Sequence, residues 1–267
     1  MARSVWQIDT VFMTPNKTIF LGTSALLLAA GRGERMRPLT DVTPKPLLPV
    51  QGQPLMQWHL AALARDGIGR VVINTAWLGE QIPARFGREF KGMALSYSME
   101  GEDFGSALET AGGIARALPM LDDVFWVLAG DVYTPDFVFD AAAFATFAAS
   151  PMLAHLWLVP NPTHNPKGDF GLSDDGLALN VPPDQPGPRY TYSTIGLYRR
   201  AFFEPPNCDL PAGNPHGVKA ALAPLLRTAM NRSLVSAQLY TGPWTDVGTP
   251  ERLTQLNSAH PSEHAAT

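Results

Sequence analysis

Short, wholly apolar runs set apart by longer mixed stretches place the first limit on what this chain can fold into. Ser24-Ala-Leu-Leu-Leu-Ala-Ala30, Arg70-Val-Val-Ile-Asn74 and Val124-Phe-Trp-Val-Leu-Ala129 lack the polar alternation of a strand with one wet face. Runs of that kind are strands buried on both sides, the condition of a parallel sheet covered by helices. Between them, Pro54 opens a segment closed by Gly67 and carrying Leu55, Trp58 and Leu63, which fits a helix with proline early and glycine just past its end. Residues 77–86 predict a short helix, 94–98 a strand, and 111–118 a helix that stops at Pro119. The order is β-α-β-α-β-α-β, the pattern of a parallel sheet with helices on both faces. Further strands are expected at 153–159, 190–198 and 234–240, with helices at 218–230 and 250–258. The Pro/Gly-rich stretches 160–167, 181–189 and 205–217 are too short and too interleaved with strands to separate domains. The expectation is one α/β, Rossmann-like domain over residues 24–258 with a mostly parallel central sheet. Residues 1–23 are read as an extension and 259–267 as a polar tail.

Composition removes several classes of function. With 45% hydrophobic residues in 267, a sizeable core is available and wholesale disorder is excluded. Twenty Lys and Arg against 24 Asp and Glu give a net charge of −4, so nothing draws the whole molecule to nucleic acid or to an anionic membrane. The single Cys208 excludes an internal disulfide and a cysteine-based zinc site. No secretory signal pattern and no membrane-length apolar run is found, and a cytoplasmic protein is expected. Histidine spacing fits no H-E-x-x-H site, there is no G-x-S-x-G elbow, and His164 and His216 read as surface loop residues.

Ligands of open α/β sheets sit outside the carboxyl ends of the strands, so residues following each strand carry the information. Residues 28–49 read L-A-A-G-R-G-E-R-M-R-P-L-T-D-V-T-P-K-P-L-L-P. Gly31 and Gly33 allow a tight turn with amide groups close to phosphate oxygens, and Arg32, Arg35, Arg37 and Lys45 outnumber Glu34 and Asp41. A polyanion is the natural guest. Met36 breaks the dinucleotide fingerprint, and no Gly-Lys-Ser/Thr follows to make a Walker loop. Leu128-Ala-Gly-Asp131 ends one apolar strand, and Trp244-Thr-Asp246-Val-Gly-Thr-Pro250 precedes a helix. Two aspartates at separate strand ends suit Mg²⁺, which takes one or two carboxylates plus phosphates and water. Taken alone, a Gly-Asp after a strand is more often a turn or a helix cap.

These stretches resemble the sugar-1-phosphate nucleotidyltransferases, and the resemblance runs from about residue 25 to 256. It implies that Ala30, Gly31, Gly33 and Arg35 hold a nucleoside triphosphate, that Lys45 and Arg35 are catalytic, and that Asp131 and Asp246 bind Mg²⁺. Glu109-Thr-Ala-Gly112-Gly113 resembles the segment that passes the nucleobase, with Gly112 close to the ring, and Gln81 is a candidate for the base edge. The implied reaction is attack of a sugar phosphate on the α-phosphorus with release of pyrophosphate. Residues 74–82, 161–170, 222–227 and 242–246 resemble in particular the bacterial N-acetylmuramate-1-phosphate uridylyltransferases of cell-wall recycling. Asp169 and Lys219 are the candidates for sugar-side contacts. Mannose-1-phosphate guanylyltransfer, glucose-1-phosphate thymidylyl- or uridylyltransfer, and an inactive subunit that only binds sugar nucleotide are the alternatives. Only small-molecule partners are expected, with no nucleic acid and no membrane, and the chain is expected to be a monomer or small homo-oligomer.

Overall fold

A computed structural model of the chain describes residues 13–14, 17–18, 20–182, 184–185 and 187–259. The first long strand, β1, covers Phe20–Ala29 and is followed by α1 at Leu55–Arg65 and β2 at Ile68–Thr75. Then come α2 at Gln81–Phe86, β3 at Met93–Met99, α3 at Glu100–Phe104, α4 at Glu109–Ala117 and β4 at Val124–Ala129. The second half holds α5 at Ala141–Ala149, β5 at Ala154–Val159, β6 at Phe170–Leu172, β7 at Ala178–Leu179 and β8 at Arg189–Arg199. It ends with α6 at Leu222–Met230, β9 at Val235–Leu239 and α7 at Pro250–Ala259.

One ten-stranded sheet runs β7-β6-β8-β4-β1-β2-β3, closed at its edge by Glu89–Phe90, with β5 branching from β8 and β9 pairing with β5. The neighbours β4, β1, β2 and β3 are all parallel, in keeping with runs buried on both faces. Antiparallel pairing enters on the flanks, where β8 returns beside β4 and β5 lies against β8. Side chains alternate across the central strands. Ala25, Leu27, Val71, Ile73, Trp126 and Leu128 pack on the side of α1 and α2. Leu26, Val72, Phe125 and Val127 pack on the side of α4 and α6. Both faces are therefore dry, which is why these runs show no polar positions.

Several elements differ from the sequence reading, among them α2, which begins at Gln81 and not at residue 77. β1 begins at Phe20, paired with Ile68, so residues 20–23 belong to the sheet and not to an extension. The helix expected from residue 218 begins at Leu222. Residues 218–221 belong to no helix or strand, and Ala220 bonds the start of α4: its carbonyl accepts from the Ala111 and Gly112 amides, and its N–H donates to the Leu108 carbonyl. α5 was not expected; Asp140 caps it by accepting from the Ala142 and Ala143 amides. Residues 1–12 and 260–267, the bulk of the expected extension and tail, lie outside the described residues.

Candidate active site

The site lies past the carboxyl ends of the parallel strands β1 and β4, beside the amino-terminal half of the antiparallel β8. After Ala29 the chain turns through Gly33, which holds φ of +66° and starts a single 3₁₀ turn at Glu34–Met36. A Cβ there would sit 3.0 Å from Thr40 Cγ2 and 3.3 Å from Lys45 Cβ, so both backbone and space demand glycine. Thr40 ties the turn by donating from Oγ1 to the Gly33 carbonyl at 2.9 Å.

The loop's charges divide by role. Arg32 donates to the Thr40 carbonyl and to Asp41, and stacks over the Trp77 ring at 3.8 Å. Arg37 also donates to Asp41, at 2.8 Å. These two cations, counted from sequence toward a polyanion site, hold the loop together. Arg35 is exposed and, among the described residues, makes no hydrogen bond or ion pair; it lines a cavity of about 230 Å³ with Gly31, Gly33, Lys45, Asp131 and Gly248. Lys45 is buried and places Nζ 2.6 Å from Asp131 Oδ2.

Asp131 and Asp246 come together through a two-residue antiparallel ladder in which Val132 pairs with Asp246 and Tyr133 with Thr245. The Val247 amide donates to the Asp131 carbonyl at 2.9 Å and fixes the register. Arg252, at the start of α7, forms an ion pair with Asp246 Oδ1, and His164 Nε2 lies 3.2 Å from the same oxygen. Sequence reading missed both residues. His164 is not a plain surface residue: burial, with the Arg252 and Arg35 charges, holds its ring below the usual imidazole range. The donor set fits Mg²⁺, being two hard carboxylates on adjacent strand ends with Asp131 partly open to solvent. Among the described residues no group of three or more His, Cys, Asp or Glu forms a full cage, so phosphate oxygens and water would complete such a shell.

Two cavities meet here. The first, also of about 230 Å³, is lined by Ala30, Gly31, Lys45, Asn74, Thr110 and Asp131 among others. The second, of about 560 Å³, lies between β8, α4 and α6 and is lined by Asp169, Phe170, Tyr192, Thr194, Leu226 and Arg227 among others. Leu28, Glu109, Thr110 and Ala129 border both. Asp169 is held at the larger cavity by the Tyr192 amide at 2.9 Å and the Asn165 side chain at 3.2 Å. Arg227 lies with its guanidinium 5.2 Å from the Phe170 ring centroid and donates to Asn180 at 2.7 Å; sequence reading did not single it out.

Below the loop, Asn74 accepts from the Ala29 amide at 2.7 Å and donates to Glu100 at 2.7 Å, while the other Glu100 oxygen accepts from the Leu108 amide at 2.8 Å. This strap joins the end of β1 to the segment before α4. Burial raises the Glu100 carboxyl above its ordinary range, against the two donors that favour its anion.

Three expected residues stand away from the cavities. Gln81 donates to the Val42 carbonyl at 3.0 Å and braces the loop from outside. Lys219 is exposed and lines neither cavity. Gly112 is buried, and a Cβ on it would meet the Val218 carbonyl at 2.5 Å. The close approach it permits in this structure is between two stretches of this chain.

Fold and site define an α/β protein of the nucleotidyltransferase type. The chain belongs to the nucleotidyl transferase family, whose model matches residues 24–263. It is 48% identical over 239 residues to an N-acetylmuramate alpha-1-phosphate uridylyltransferase of Neisseria meningitidis serogroup B, spanning 88% of this chain and 96% of that one. A UTP–glucose-1-phosphate uridylyltransferase of Synechocystis is 31% identical over 216 residues, which are 76% of this chain and 54% of that one. Among solved structures, the inositol-1-phosphate CTP transferase of T. maritima superposes with a TM-score of 0.63 at 17% identity, covering 91% of this chain and 98% of that one. A Bacillus anthracis structure assigned as a glucose-1-phosphate thymidylyltransferase reaches 0.73 at 19% identity, covering 92% and 98%. Among the described residues no helix is long and apolar enough to cross a membrane.

Proposed function

We propose that this chain transfers the uridylyl group of UTP to N-acetylmuramate 1-phosphate, releasing pyrophosphate, in cytoplasmic recycling of cell-wall sugars. The observation that carries the reading is the pair of confluent cavities: one is walled by the Gly31 loop, Lys45 and Asp131, the other by Arg227 and Asp169, and they share a border at Ala129 and Thr110. Two ligands that must react with each other need that arrangement. The near full-length identity to the Neisseria enzyme supplies the choice of sugar and base.

The attacking phosphate oxygen is already an anion, so no general base is needed. The work left to the protein is to hold two repelling polyanions in line and to offset charge on the leaving pyrophosphate. Arg35, with no hydrogen bond or ion pair among the described residues, and Lys45 face the phosphates of the nucleotide. Arg227 is placed to meet an anionic group on the sugar, and its hydrogen bond to Asn180 fixes the guanidinium for that role. Asp131 and Asp246 would hold Mg²⁺, which when bound supplies further neutralisation of phosphate charge.

The test is pyrophosphate release with UTP, dTTP, GTP and CTP crossed against muramate, glucosamine, glucose and mannose 1-phosphates, with and without EDTA. Turnover is expected with UTP and N-acetylmuramate 1-phosphate, and chelation is expected to stop it. Preference for another pair would overturn the substrate, and activity unaffected by chelation would overturn the metal.

A further inference from the structure

Seven non-glycine residues among the described ones have positive φ. Five lie in turns or loops between elements. The other two, Glu109 at +59° and Thr194 at +67°, are the first residue of α4 and an interior residue of β8, and both line the larger cavity. A left-handed backbone is uncommon for glutamate and a true outlier for a β-branched threonine. Strain of this kind persists only where surrounding structure enforces it.

Both positions are enforced. In β8, Leu156 pairs with Gly196 and Leu158 with Tyr192, so residues 193–195 bulge opposite Trp157. Bulges beside sites re-aim side chains. The buried Ser193 anchors this one: its carbonyl accepts from Trp244 Nε1 at 3.0 Å and from Thr194 Oγ1 at 2.5 Å, and its hydroxyl accepts from the Ile195 amide at 3.1 Å. At Glu109 the flanks are pinned instead. The Leu108 amide donates to Glu100, and the Ala111 amide to Ala220 at 2.9 Å. The Glu109 carboxylate makes no hydrogen bond or ion pair among the described residues, and it stands where the two cavities meet.

We propose that Glu109 and Thr194 determine which sugar the larger cavity accepts, an inference that rests on reading that cavity as the sugar 1-phosphate site. A carboxylate repels phosphate, so Glu109 takes the neutral donors of the sugar, its hydroxyl or amide hydrogens, while Arg227 takes an anionic group. The Thr194 hydroxyl hydrogen is committed to Ser193, so this residue acts by bulk and limits the room beside the ring.

The experiment compares the wild type with Glu109→Gly, Glu109→Gln and Thr194→Gly. Each is assayed with UTP against N-acetylmuramate, N-acetylglucosamine and glucose 1-phosphates, and thermal unfolding is measured alongside. Glycine accepts either backbone, so both glycine variants are expected to melt no lower than the wild type while losing discrimination. Glu109→Gly and Glu109→Gln should raise KM for the preferred sugar about tenfold or more and leave KM for UTP within about threefold. Thr194→Gly should narrow the ratio of kcat/KM between the best and second sugar by about fivefold or more. If all three variants keep the wild-type sugar ratios and KM values within about twofold, the inference is overturned even though the activity stands. A wild type that turns over no sugar 1-phosphate overturns the functional reading and the inference with it. Glu109→Gln, which leaves the backbone as it is, keeps the test decisive if a glycine variant fails to fold.

Discussion

Lys45 and Asp131 show how much depends on single charged atoms. The lysine side chain is 9% exposed, and its ammonium lies 2.6 Å from one carboxylate oxygen at the wall of the smaller cavity. A cation so placed is already desolvated and fixed before any polyanion arrives, so it need not reorganise when charge develops. Replacing it with methionine keeps much of the volume and removes the charge. Lys45→Met is expected to cost about two to three decades in kcat/KM, a few kcal/mol of barrier, as read by pyrophosphate release. Lys45→Arg should not restore activity, because the stem packs against the Gly33 turn and a planar fork cannot occupy a point-charge position. Retention of near wild-type turnover by either variant would remove Lys45 from the chemistry. Arg32 is the contrast within the same loop: its stacking on Trp77 makes it a brace.

At the scale of elements, α1 reaches the site through His59. This ring is buried and its Nε2 donates to the Val132 carbonyl at 2.8 Å, beside the strand end that carries Asp131. Burial pushes the His59 pKa down to about 4 from 6.5. The unfolded chain therefore binds more protons than the fold between those values. Stability from this group is complete above pH 6.5 and is lost as pH falls toward 4, by about 3 kcal/mol at 1.36 kcal/mol per unit. His155, also held low by burial, adds in the same direction. Urea unfolding across pH 7 to about 4.5 should show this decline, and it should be shallower in His59→Leu. An identical slope in that variant would assign the decline to other groups.

Elements also show what could be read from sequence. β1, β2 and β4 were legible because a strand dry on both faces has no polar position to blur it. α1 was legible from Pro54 and Gly67 at its ends. α5 was not, since its alanine-rich run has little contrast between faces, although Asp140 did offer a cap. The start of α6 was misplaced because a non-helical segment bonded to another helix carries the same apolar composition as a helical turn. Periodicity cannot tell a parallel from an antiparallel neighbour, so the return of β8 beside β4 went unread, and with it the bulge at Thr194. Likewise Arg252 and His164 have no motif; only the folded approach of residues 88 apart in sequence brings them together at Asp246.

Over the whole molecule, the site is gathered from nearly the full described length. Its first pieces are the Gly31 loop and Lys45, and its last are Asp246 and Arg252. α7 closes back on the beginning: the Asn257 side chain accepts from the Gln51 amide at 2.7 Å and donates to the Pro49 carbonyl at 3.1 Å. Val247 and Leu253 complete a small apolar cluster with Met36, Leu48, Val50, Leu55 and Tyr133. Truncation after Gly242 should therefore abolish turnover and lower the thermal midpoint, while the sheet survives in the far-UV circular dichroism. Full activity in that truncated form would refute the assignment of Asp246.

The short ladder joining Val132–Tyr133 to Thr245–Asp246 also bears on how the protein is born. Ribosomes deliver the Gly31 loop early and Asp246 late, so an unfinished polypeptide can present that loop and Asp131 without the second carboxylate. If the two aspartates hold the metal as proposed, the pairing that assembles them ties catalytic competence to the late arrival of Asp246. On that proposal, fragments released by stalled synthesis before Asp246 would lack turnover.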